Sequence, residues 1–351
     1  MTAGQATSRP PLPRTSQVAL PLNGLLALAL LMLALVSLGI GPVQLALADV
    51  AAALLPVGDG ASEALARQHA IVAEIRLPRV LLAILVGASL GMSGAALQGL
   101  LRNPLAEPGL LGISSSASLG AVLCLYFGLA QLTPWLLPAA AMGCAALATL
   151  VLYRIARRGT GNLTLILAGV ALSSLAGALT SLAINLAPNP TDVQDIVLWL
   201  LGSLADRSFD DIRLCLPFVL AGLALLATCG RDLDALSVGE DEAASMGVNL
   251  ARLRAQVVVG TALCVGASVA VTGAIGFVGL VVPHMLRRAV GYHPARLLVS
   301  SALGGAVLLL AADVVLRLVS GGFELMLGVV TALIGAPFFF VLVLRERLGR
   351  A

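Results

Sequence analysis

The sequence predicts an all-α polytopic membrane protein with about ten transmembrane helices and a weak inverted internal repeat. Three observations predict it. Hydrophobic residues form 59% of the chain and charged residues 11%, with a mean hydropathy of +1.01. A soluble domain is roughly half apolar and about a quarter charged. The apolar excess falls into ten long runs, and the arginines fall mostly on one side of them.

Residues 1–17 are rich in Pro, Ser and Thr and read as a disordered cytosolic tail. A signal peptide is the competing reading, because Arg9 and Arg14 precede an apolar run. That run exceeds the usual h-region of about 7–15 residues. A single transmembrane domain then covers residues 18–345, and 346–351 form a short cytosolic tail.

The runs are Val18–Gly41, Arg79–Leu101, Gly109–Leu129, Pro134–Tyr153, Leu163–Leu186, Ile212–Cys229, Ala255–Thr272, Phe277–Leu286, Leu297–Val319 and Leu325–Leu344. A span needs about 20 apolar residues. The eighth run is too short to cross alone and is expected to be tilted, broken or buried.

All 21 basic residues are arginine. With a cytosolic N-terminus, alternation leaves only Arg67, Arg76, Arg79, Arg207, Arg213 and Arg317 outside. The positive-inside rule favours that orientation, with both termini cytosolic. The missing lysine excludes a P-loop, which needs lysine on the β/γ-phosphates, and Schiff-base chemistry. If ATP drives this protein, another subunit hydrolyses it. The five cysteines lie in or beside apolar runs without C-x-x-C spacing, and read as packing residues.

One polar loop, residues 230–254, stands out on the cytosolic side. Glu240, Asp241 and Glu242 suit the positive end of a short helix. Gly247 followed by Val248 suits a Schellman stop. Ala243, Ala244 and Met246 give the bracketed helix a small-residue surface that could lie against another protein.

The repeat relates Val86–Ala95 to Val265–Ala274 at an offset of 179 residues, which Pro104/Pro283 and Gly112/Gly291 keep. Five crossings separate the copies, so they would be inverted, as in many transporters. Gly87-x-x-x-Gly91 permits close helix approach in lipid. Gly87-Ala-Ser89-Leu-Gly91 also fits a nucleophile-elbow pattern. That pattern needs a strand-turn-helix and is rejected inside an apolar helix. His69, His284 and His293 lack ligand spacing, so no metal site and no cofactor is expected.

Asp313 is the acid deepest within an apolar run, and Arg317 follows four residues later on the same face. That order suits an intrahelical pair. The pair lowers the cost of a buried acid, about 2.5–3.5 kcal/mol on insertion scales. It would also orient Arg317 toward the outer surface. Arg76-Leu-Pro-Arg79 stands at the outer mouth of the second run, where arginines suit capture of carboxylates on a partner.

Together several motifs resemble the iron-siderophore/haem/vitamin B12 permeases of bacterial ABC importers. They are Arg76-Leu-Pro-Arg79, Arg102-Asn-Pro-Leu-Ala-Glu-Pro-Gly-Leu-Leu-Gly112, Leu167-Ala-Gly-Val170, Trp199-Leu-Leu-Gly-Ser-Leu204, Gly276-Phe-Val-Gly-Leu-Val-Val-Pro-His284, Asp313-x-x-x-Arg317 and Gly328-Val-Val-Thr-Ala-Leu-Ile-Gly-Ala-Pro-Phe-Phe339. The polar loop around Gly239–Gly247 belongs to the same set. The resemblance runs in order from about Arg76 to Arg345.

The resemblance implies a homodimer of permease subunits in the bacterial inner membrane. Two ATP-binding cassette ATPases would dock below and a periplasmic substrate-binding protein above. Arg76, Arg79 and Arg317 would dock the binding protein. Asn103, Leu105 and Asn162 would belong to the cytosolic gate. Gly239, Glu240, Ala243 and Gly247 would seat the coupling helix in the ATPase. No covalent chemistry and no nucleic acid are implied. The family's Glu-Leu-Pro before the last span is here Glu324-Leu-Met326, which puts cargo analogies in doubt.

An ion-coupled secondary transporter is the rival class, but it would want more mid-membrane acids than Asp313 alone. The expected cargo is an iron chelate, siderophore or haem, with cobalamin as the alternative.

Overall fold

The computed structural model describes residues 16–41, 43–55, 62–158, 161–319 and 325–348. Residues 1–15 of the expected tail, Glu324 and residues 349–351 lie outside the described residues.

Every apolar run becomes a helix. Helix α1 (Ser16–Gly39) leads into two short helices, α2 (Leu47–Ala53) and α3 (Glu63–His69). A π-helical turn, Ala70–Arg76, then joins α3 to α4 (Leu77–Leu101). Next come α5 (Ile113–Tyr126), α6 (Leu136–Arg157), α7 (Asn162–Asn185) and the short α8 (Pro190–Leu200). Helix α9 (Phe209–Thr228) precedes the polar loop, which holds α10 (Gly230–Leu236) and α11 (Glu240–Ser245). The chain closes with α12 (Leu250–Thr272), α13 (Val278–Leu286), α14 (Pro294–Val319) and α15 (Leu327–Leu348).

Among the described residues, seven stretches are long and apolar enough to cross a membrane: α1, the continuous α3–α4 stretch, α6, α7, α9, α12 and α14. Helix α5 and the apolar part of α15 (Leu327–Val341) are shorter, and α13 has only nine residues. The eighth run is therefore a short, largely buried helix that does not cross alone. It starts after Phe277, whose φ of 66° ends any continuous path from α12.

Helices α4 and α12 form the interior, and α1, α6, α7 and α9 the periphery. The peripheral helices turn Leu28, Leu147, Leu167 and Leu220 outward, as lipid permits. Lipid offers no hydrophobic drive for helix association, so close packing and hydrogen bonds must supply it. The glycines of α4 show how. A Cβ at Gly87 would stand 2.4 Å from the Gly305 carbonyl of α14, and one at Gly91 would stand 2.0 Å from that of Ser301. One at Gly94 would stand 1.9 Å from the Gly279 carbonyl of α13. The elbow-like motif is thus a packing surface, with Ser89 buried inside it.

Buried hydroxyls of α12 bond back to their own helix. Ser268 donates to the Cys264 carbonyl at 2.7 Å and Thr272 to that of Ser268 at 2.9 Å. The repeat has a conformational counterpart, because Gly112 and Gly291 share φ near 70° (70° and 69°). The end of α4 and the start of α12 meet through Asn162, so these two related helices run in opposite directions.

The same substitution at two glycines tests this packing. Gly94→Ala should prevent recovery of a monodisperse protein in detergent. Gly143→Ala, whose Cβ meets nothing within 4 Å, should leave the fold intact and stabilise it by about 0.4–1 kcal/mol, read as a raised thermal midpoint.

Candidate functional site

Two polar networks mark opposite ends of the molecule. The first surrounds Asp313 of α14, whose side chain is fully buried. Arg79 of α4 grips it with two groups: Nε donates to Oδ1 at 2.9 Å and Nη2 to Oδ1 at 2.7 Å. Arg317, one turn along α14, pairs with Oδ2 at 3.0 Å. The expected intrahelical pair is therefore present. The Arg79 contact joins residues 234 positions apart, and no local pattern announces it.

The remaining donors cap α1. Arg317 Nη1 donates to the Ser37 and Ile40 carbonyls at 2.9 and 2.8 Å. Arg76 donates to the Leu38 carbonyl at 2.7 Å and also to that of Val43. The last carbonyls of a helix lack intrahelical partners and carry its negative dipole end. Two guanidiniums satisfy both needs. Although Arg76 stands at the expected outer mouth, its side chain is buried against α1. Arg79 and Arg317 keep 19% and 10% of their side-chain surface exposed. Three arginines around one carboxylate leave two positive charges in excess.

The second network begins at α11. Ala243 and Ala244 accept from Val248 and Gly247 at 3.0 and 2.9 Å, which is the Schellman stop expected from Gly247-Val248. Gly247 has φ +90°, a conformation that glycine adopts freely. Met246 and Val238 are exposed, whereas Ala243 is fully buried in the chain's own core. Ala243 therefore seats α11 on this subunit and offers no outer surface. Gly239 is likewise buried.

Glu240 at the start of α11 accepts two bonds from Arg254 Nη2, at 2.9 and 3.0 Å. Arg254 Nε donates to Asn162 Oδ1 at 3.0 Å. Asn162 Nδ2 donates to the Leu100 carbonyl at 3.1 Å and to Glu240 Oε1 at 3.3 Å. One network thus ties α11 to the first residue of α7, the first turns of α12 and the last turn of α4. The family resemblance implies separate jobs for Glu240 and Asn162, and the fold joins them. Arg254 was legible only as one more cytosolic arginine, because its partners lie on other elements.

Asn103 and Leu105 occupy the turn after α4. Arg102 ends that helix at φ 50°, and Asn103 Oδ1 accepts from the Leu105 amide at 2.9 Å. Asn162 bonds to Leu100, three residues before Asn103, and not to Asn103 itself. Gln98 holds the same end of α4 to α13, donating to the Leu280 carbonyl at 3.3 Å and accepting from Arg287. In that turn, burial raises the Glu107 carboxyl above its ordinary value.

The FecCD transport family profile matches residues 29–345. An uncharacterized ABC transporter permease protein, YvrB of Bacillus subtilis, is 44% identical over 285 residues, covering 80% of each chain. The hemin transport system permease protein HmuU of Yersinia pestis is 40% identical over 288 residues, 79% of this chain and 84% of its own. The vitamin B12 import system permease protein BtuC of Salmonella paratyphi A is 42% identical over 281 residues, 80% and 86% of the two chains. A solved ABC transporter of metal-chelate type in an inward-facing conformation superposes with a TM-score of 0.81 at 34% identity. That match covers 93% of this chain and 99% of the other.

Two substitutions test the networks. Asp313→Ala leaves Arg79 and Arg317 without their carboxylate and should cost about 3–5 kcal/mol, as breaking a buried pair does, read by thermal unfolding in detergent. Glu107→Gln removes a carboxylate whose ionised form the fold penalises. Its stabilising effect should be full above the raised folded-state value and vanish as pH falls below the ordinary value of 4.5. Melting midpoints across that range give the sign.

Proposed function

Because the chain belongs to the FecCD transport family, we propose that this ABC importer permease carries an iron chelate, siderophore or haem, into the cytoplasm. It would work as a homodimer in the bacterial inner membrane, with both termini cytosolic. Two ATPase subunits would bind below it and a periplasmic binding protein above it. ATP would be hydrolysed in the separate subunits, which fits a chain without lysine.

The observation that carries the mechanism is the Glu240–Arg254–Asn162 network. ATPase closure would press on α11 through exposed Met246 and Val238. Displacing α11 strains its ion pair to α12 and its link through Asn162 to α4 and α7. Those helices bear on the turn containing Asn103 and Leu105, the proposed cytosolic gate. Gly239 and Ala243 are buried and would seat α11 on this subunit, while exposed Gly247 would end it beside Met246.

At the other end, Arg76, Arg79 and Arg317 supply a positive field for acidic residues of the binding protein. Their contribution is the excess charge of the cluster, since their guanidiniums already serve α1 and Asp313. Such fields set association rate and salt dependence.

Cobalamin is the second reading, and one observation favours it: the B12 permease is as similar to this chain as the haem permease. Uptake of labelled ferric siderophore, haem and cobalamin by cells carrying the complete transporter separates them. Uptake of the iron chelate should vanish when the partner ATPase loses its P-loop lysine. Uptake that survives that change would reassign the protein to ion-coupled transport.

In the intact transporter, Arg254→Gln should lower uptake about tenfold or more, the scale of a lost charge-assisted hydrogen bond. ATP hydrolysis by the assembled complex should continue. Unchanged uptake would remove the network from the coupling path.

A further inference from the structure

A groove runs along the outside of the bundle between α6 and α9, with α12 as its floor. It has two sections that share Tyr153 and Val259. The first has a volume of about 350 Å³, and Met142, Ala146, Phe218 and Leu263 help to line it. The second has a volume of about 540 Å³ and contains Arg157, Arg252 and Gln256. Among the described residues, no carboxylate lines either section.

The groove is a consequence of small residues. Ala145 of α6 and Gly266 of α12 bring those two helices into contact, with a Cβ at Gly266 only 3.1 Å from the Ala145 methyl. Ala146, Ala262 and Ala267 fill little of the space beside that contact. The apolar section extends along α6 from Met142 to Tyr153, about 16 Å at the helical rise. That is close to one leaflet's share of the hydrocarbon core, about 15 Å.

The basic section lies where such a leaflet would meet water. Arg157 ends α6 and Arg252 opens α12, and both are exposed. Neither belongs to an ion pair among the described residues. Arg157 stacks over the Tyr153 ring, 5.7 Å from its centroid, and the tyrosine sits at the waist between the two sections. Arginine suits phosphate, and tyrosine suits the membrane–water boundary.

We propose that this groove binds one anionic phospholipid. One acyl chain lies between α6 and α9 along α12, and the headgroup phosphate accepts hydrogen bonds from Arg157 and Arg252. The charge fits an anionic headgroup and the apolar length fits one leaflet. In the proposed orientation this is the cytoplasmic leaflet, the one that carries anionic lipid. The site needs only the membrane-spanning fold. Its failure would leave the transport reading standing, and failure of uptake would not remove the lipid.

Native mass spectrometry of the full-length chain in detergent tests it. The probes are phosphatidylglycerol and phosphatidylcholine with identical acyl chains, with inorganic phosphate as a competitor. Phosphatidylglycerol should be retained about tenfold more strongly than phosphatidylcholine, given roughly one favourable contact per arginine. The double variant Arg157→Gln/Arg252→Gln should lose that preference. Ala146→Trp, at an exposed position, should fill the groove and release the lipid with both arginines present. Inorganic phosphate should not displace it. Equal retention of the two lipids, retention unchanged in both variants, or displacement by phosphate alone would overturn the proposal. So would a change of oligomeric state in Ala146→Trp with lipid content unchanged, which would make the groove a protein interface. Thermal midpoints near that of the parent protein establish that each variant is folded.

Discussion

Burying one helix among others, away from both lipid and water, is the constraint on which this structure depends. Helix α4 can occupy the interior only where its neighbours' backbones approach to contact distance. Gly87 and Gly91 admit α14, and Gly94 admits α13. Dispersion and short backbone approach replace the hydrophobic drive that a soluble core would use. Because α4 is central, its two ends are held where polar groups from distant parts of the chain can reach them. Arg79 opens the helix beside Asp313, and Leu100 closes it beside Asn162.

Both networks solve the same electrostatic problem with a carboxylate and arginine. Desolvating a lone charge is expensive, and it becomes tolerable when several hydrogen bonds meet it. Asp313 has Arg79 and Arg317, and the surplus donors of Arg317 close the C-terminus of α1, as those of Arg76 do. Glu240 has Arg254, whose other nitrogen holds Asn162. The networks differ in exposure. Asp313 is sealed, which suits a fixed anchor, whereas 41% of the Glu240 side chain remains exposed. The second pair is therefore weaker and better suited to rearrangement.

What the sequence made legible was local. Each of the ten apolar runs contains a helix, seven stretches among the described residues are long enough to span, and the short eighth run reads as one that cannot cross alone. The Schellman stop at Gly247 and the Asp313–Arg317 pair follow from spacing within one element. What was not legible depends on which elements meet. Arg79 reaches Asp313 across 234 residues, and Arg254 reaches Asn162 across 92. Arg76 looked free because its sequence neighbours lie at an expected outer mouth, yet its carbonyl partners belong to α1. Ala243 looked like surface because the loop is polar, yet it is the residue on which α11 rests. Composition and period report a residue's own element, and they are silent about the partner's.

Under the proposed mechanism, the short length of α11 becomes an advantage. A helix of six residues ended by a Schellman motif has little internal freedom. A push on its exposed edge therefore moves it as a unit. Glu240 moves with it, and the bidentate Arg254 contact must either follow or break. If it follows, the start of α12 and Asn162 are carried along. If it breaks, Asn162 loses its donor bond to Glu240 and keeps its acceptor bond to Arg254. Either response acts on the last turn of α4 and the first of α7. The far end of α4 stays pinned by Asp313, so the response is confined to the cytosolic half. A gate can then change at Asn103 and Leu105 while the outer arginine cluster keeps its shape.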